Sequence, residues 1–143
     1  MSVDLNAIGA AIAAKFAAID GIRGAGVDDL EGLPVLPWVT VLSPTLDISD
    51  EPPSNEPLTW VFPCVLFVSA EGGPSRTQRR LRELVPAVVV AWRKERKLGQ
   101  EAVQDSHLTG GTPDFVPQGE GSLPVYKFDI TVQTRENVTR SST

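Results

Sequence analysis

The sequence predicts an α+β fold: one antiparallel or mixed β-sheet of four to five strands covered by two α-helices, with a long acidic, proline-rich loop. Three observations predict it. Apolar residues recur at helical spacing over 5–19 and again over 81–92, a two-residue alternation runs over 126–133, and two Val/Trp/Phe/Leu-rich runs lie between the helical segments. At 143 residues the chain fits a single domain over 1–134 with a flexible C-terminal tail at 135–143. A chain of this length buries about 68–70% of its unfolded surface without help from metals or disulfides.

In the first segment Leu5, Ile8, Ile12, Phe16 and Ile19 fall on one helical stripe. Ser2 or Asp4 supplies the N-cap, and Gly21, Gly24 and Gly26 are expected to end the helix. Strands follow over 35–42 and 58–70. Pro37 and Pro63 cannot donate to a ladder, so each belongs at an edge, a bulge or a strand end. Between the runs lies SPTLDISDEPPSNEP, with four prolines and four carboxylates, a loop expected to protrude and to order against a partner.

Gly73-Pro74 precedes Ser75 and Gln78, spaced as a capping box. Leu81, Leu84, Val85, Val88, Val89 and Trp92 then form the stripe of a second helix whose basic residues face outward. Pro86 falls on that outer face, where it would bend the helix around the core; a strand over AVVVAW is the competing reading. Near the C-terminus Tyr126, Phe128, Ile130 and Val132 alternate with Lys127, Asp129, Thr131 and Gln133, a strand with one buried face. HLTGGTPDFVP supplies its antiparallel partner, with QGEGS as the turn.

Few chemistries survive inspection. The Ala-rich start lacks the basic n-region of a signal peptide, and no apolar run approaches the roughly 18 residues of a membrane span, so a soluble, cytoplasmically made protein is expected. Asn137-Val138-Thr139 then matches a glycosylation acceptor by chance. Cys64, the one cysteine, reads as a buried small hydrophobe in WVFPCVLFV. One Cys and one His make no standard zinc site, Asp29 stands where a dinucleotide fingerprint needs glycine, no G-K-[ST] occurs, and neither acidic cluster has EF-hand spacing. His107, placed in a loop beside Gly110-Gly111, has no nucleophile signature near it; a small hydrolase using His107 with Ser106 or an acidic residue is the enzymatic alternative. No cofactor, metal or catalytic set is expected.

Charge is the informative feature. From Gly24 to Ser75 there is no Lys or Arg but eight acidic residues, whereas 76–97 holds eight basic residues against Glu83 and Glu95, in a chain of net charge −5. Such asymmetry calls for an electrostatic partner, and the acidic stretch of another copy complements the basic helix. Nucleic acid is the weaker alternative, because the acidic half repels phosphate and no aromatics interleave with the outward basic residues.

The Ala-rich first helix, paired strands, long loop, closing hairpin and the helix SRTQRRLRELVPAVVVAWRKE together make the chain resemble, over roughly 3–134, the tail terminators of long-tailed bacteriophages, also called tail-completion or head-tail joining proteins. That resemblance implies a structural subunit of a ring, a hexamer, which caps the tail tube, ends its polymerisation and joins it to the head connector. It also implies the virion tail or neck as location, the tail tube and connector proteins as partners, and genomic DNA passing through the lumen without specific binding. A head-tail connector or neck protein of the same particle is the alternative. The family has no catalytic residues to transfer, and Pro86 departs from its uninterrupted second helix. A ring needs two complementary patches per copy, here Arg76, Arg79, Arg80 and Arg82 against Asp47, Asp50 and Glu51, with Leu46, Trp38 and Trp60 as apolar contacts to tube or connector.

Overall fold

The computed structural model describes residues 3–28, 33–47, 58–94, 98–100, 102–118 and 121–135. Asp4 caps helix α1 (Leu5–Ala17), its Oδ1 accepting from Ala7 N at 3.1 Å, and the expected stripe buries Ile8, Ile12 and Phe16. The helix stops earlier than the glycines: its C-cap is Ala18, and Gly24 and Gly26 belong to strand β1 (Gly24–Val27).

Among the described residues the strands number six, above the four to five expected. After β1 come β2 (Trp38–Val41), β3 (Thr45–Asp47), β4 (Leu58–Phe67), β5 (Val103–Gln118) and β6 (Gly121–Thr134), with helix α2 (Pro74–Ala91) between β4 and β5. They form one mixed sheet in the order β1-β2-β4-β6-β5, with β3 on β4; only β1–β2 is parallel. The two additional strands are β1, rich in glycine, and β3, cut from the start of the acidic loop. The rest of that loop, 48–57, lies outside the described residues, as does the tail from 136 onward.

Pro63 sits mid-strand without breaking the sheet. Between the pairs Val41–Cys64 and Thr45–Val61 the partner strand spans one residue more than β4 does, so a bulge faces the proline, and Leu42 N donates to Pro63 O at 2.8 Å. Alternation then assigns the two faces. Val39, Val41, Phe62, Cys64, Leu66, Phe128, Ile130 and Val132 point to the helices and pack with Ile8, Ile12 and Phe16 of α1 and Leu81, Val88 and Trp92 of α2 or its C-cap. The reverse face carries a smaller cluster at one end, Trp38, Val65, Phe67 and Val125, which Val35, Leu42, Val116 and Leu123 help cover.

Cys64 is buried in the main core, its thiol donating to Phe62 O at 3.6 Å. Burial, with the nearby Asp129 carboxylate adding, pushes the thiol well above its ordinary range. The folded protein therefore leaves a thiol-directed disulfide reagent unreacted, and one equivalent reacts on denaturation; rapid labelling of native protein contradicts this packing.

Candidate functional site

Helix α2 carries four of the chain's thirteen Lys and Arg residues, and its beginning shows why these four arginines are not equivalent. Gly73, at φ +95°, is the N-cap, with no side-chain cap, and Pro74 fills the first turn, so the Ser75–Gln78 capping box does not form. Thr77 is buried instead, its hydroxyl donating to Gly73 O at 2.9 Å. Arg80 reaches back over this turn and its Nη1 donates to Ser69 O at 2.7 Å and Glu71 O at 2.6 Å. Arg76 lies across Gly72, where an added Cβ would overlap its side chain. Arg80 and Arg76 thus close the 69–73 turn.

Arg79 and Arg82 do something else. They are exposed and have no side-chain partner among the described residues. At 100° per residue they share one outward stripe with Pro86 and Val90, as the sequence placed Pro86. The helix continues through Pro86, which removes the strand alternative for AVVVAW. No acidic residue occupies the first turn, so the positive end of the helix dipole and the arginines reinforce one another.

The expected acidic counterparts are only partly in view. Asp47 is exposed at the end of β3, opposite Thr59, while Asp50 and Glu51 lie outside the described residues. Leu46 is exposed beside it, opposite Trp60. Trp60 is half-buried and its Nε1 donates to Thr134 Oγ1 at 3.1 Å. Trp38 is buried in the reverse-face cluster, its Nε1 donating to Thr40 Oγ1 at 2.9 Å.

His107 belongs to β5 rather than to a loop. Strand alternation turns the fully buried Ser106 and His107 to opposite faces, so the structure does not assemble that pair. Asp105 shares the face of His107, its Oδ2 lying 3.7 Å from Nδ1. Among the described residues no group of three or more His, Cys, Asp or Glu side chains could hold a metal ion, and no helix is long and apolar enough to cross a membrane. What the described surface offers is a basic helix stripe, separate from the acidic strand β3, with no ion pair joining them.

No protein-family model matches the chain, and no curated protein matches it.

Proposed function

We propose that this chain is a structural assembly subunit with no catalytic role, which closes into a ring of six copies at the end of a phage tail tube, stops the tube's growth and joins it to the head connector. The observation that carries the ring is the bare arginine pair of α2, Arg79 and Arg82, in a chain whose acidic segment supplies it with no ion pair among the described residues. Opposite patches on different elements of one chain suit a head-to-tail contact, and such contacts close into a ring where the rotation between copies closes. The tail-end location, in the virion and in the host cytoplasm during assembly, rests on the resemblance in size, element order and arginine helix. On this reading the tail tube and connector proteins are its partners and DNA threads the lumen without specific contacts.

The test is the solution mass of the purified protein, with its symmetry under the electron microscope. Arg79→Glu with Arg82→Glu replaces two guanidinium donors by carboxylates at the contact, costing on the order of a few kcal/mol per contact, and the ring falls to subunits. Arg80→Ala is the control: it loosens the 69–73 turn and lowers the melting temperature while leaving the assembled mass intact. A wild-type protein with no closed oligomer, alone or with tail tubes, overturns the reading, as does a double reversal that leaves the assembly unchanged.

A further inference from the structure

We propose that the outer edge of β5 in one copy docks along α2 of the next, with Phe115 seated on Val90 and Pro86 and with arginines donating to a row of β5 carbonyls. The inference rests on the reading of this chain as a self-assembling subunit and names the surfaces that meet.

Strand β5 ends the sheet, and an end strand of 16 residues is ordinarily a template for another strand. This one is closed to strand addition over part of its length. Pro63 turns its carbonyl towards Leu42 and away from β6, so its register partner Asp129 turns its backbone groups towards Gly110 of β5. Stepping along the ladder, Thr112, Asp114 and Val116 face β6, while Pro113, Phe115 and Pro117 direct their backbone outward. Two of these three are prolines without an N–H. The third N–H, that of Phe115, already donates to Asp114 Oδ1 at 2.8 Å. The Asp114 carboxylate is itself held by Lys127 Nζ at 3.6 Å.

From Pro113 to Pro117 the edge therefore presents acceptors and no available donor. A β-strand needs both, so it cannot pair there. A guanidinium, which has five N–H donors and no acceptor, can. Arg79 and Arg82 are such groups, and Pro86 leaves the carbonyl of Arg82 without its usual donor, so this stretch of α2 is also unfinished.

The apolar halves match as well. Phe115 and Val90 are the most exposed large hydrophobic residues among those described, at 56% and 53%. Neither is covered by the described residues of its own copy, which leaves both open to a neighbouring molecule. From Arg82 to Val90 the helix rises about 12 Å, and from Pro113 to Pro117 the strand runs about 13 Å, so the two surfaces are commensurate. Because edge and helix are different elements of the same chain, the contact is heterologous and passes on from copy to copy.

Single variants Phe115→Cys and Val90→Cys test this, since the native Cys64 is buried and does not compete. Mixed under mild oxidation they should give a disulfide-linked dimer that neither variant gives alone, with melting temperatures of both matching the wild type. A chain carrying both substitutions should give a ladder that stops at the ring size. A Phe115→Cys homodimer, or no disulfide in the mixture while the wild-type mass shows an oligomer, overturns the docking and leaves the ring standing. No disulfide together with a wild type that never assembles overturns both. A ladder with no upper limit supports the docking and overturns the closed ring.

Discussion

Phe16→Ala lowers the stability of the folded chain by about 3–5 kcal/mol, the largest single loss expected from any substitution considered for this protein. Phe16 is fully buried, and its ring joins three elements that are distant in sequence: it lies 5.5 Å from Trp92 at the end of α2 and 6.1 Å from Phe128 of β6. Lys15 Nζ sits 4.5 Å above the Trp92 ring, so the neighbouring residue of α1 covers the same indole from another side. Removing the ring leaves a cavity lined by an indole and a phenyl that are anchored on different layers and cannot both collapse into it. Against a total stability of about 5–15 kcal/mol the loss is a large fraction, and the melting temperature should fall by roughly 10 °C or more. Denaturant unfolding should show a lower midpoint at unchanged slope. A loss below about 1 kcal/mol would mean that the two helices do not share this core.

Where local pattern and tertiary packing agree, the fold was legible. The alternation over 126–132 and the spacing of Ile8, Ile12 and Phe16 report burial directly, because a strand face or helix stripe carries its own period. Pro86 was readable for the same reason: the wheel that buries Leu81, Val88 and Trp92 leaves the proline outside. Strand β1 was not readable, since GAGV has a single β-branched residue, Val27, and no alternation, and it exists because its backbone pairs with Trp38–Val41. Strand β3 is three residues inside a segment dominated by proline and acid. Gly110 and Gly111 marked a loop at His107, yet they sit in a strand. A register shift falls between Leu108 and Gly110, and a Cβ on Gly111 would lie only 2.9 Å from the Tyr126 ring.

The candidate surface divides in the same way. Composition located the positive segment but could not separate Arg80 from Arg79, because the carbonyls that bind Arg80 are brought to it by the 69–73 turn. Trp38 reads as a contact residue on size alone, and its burial depends on the packing of Val65, Phe67 and Val125. Phe115 has no distinguishing pattern of its own, but Pro113 and Pro117 beside it carry a readable signal: prolines four apart in a strand lie on the same backbone side and strip donors from one edge.

Gly24→Val should cost on the order of 1–3 kcal/mol or more, through a clash that no sequence pattern announces. Gly24 is the register partner of Trp38, and a Cβ built on it would lie 2.7 Å from two carbons of the indole and 3.1 Å from Val35 Cγ2. The indole has nowhere to withdraw. Its Nε1 is fixed to Thr40 Oγ1, and its ring packs with Val65, Phe67 and Val125, so either Trp38 leaves the reverse-face cluster or β1 parts from β2. Gly110→Ala is the internal standard, because there an added Cβ would meet only Asp129 Oδ2 at an ordinary 3.5 Å. Thermal melts should separate the two variants by several degrees. Trp38→Leu in the Gly24→Val background should recover part of the loss, a coupling expected only if the two side chains compete for one space. If Gly24→Val melts with the wild type, or the two substitutions simply add, β1 does not lie against β2 in this register, and the edge of the sheet that the acidic segment begins from must be placed elsewhere.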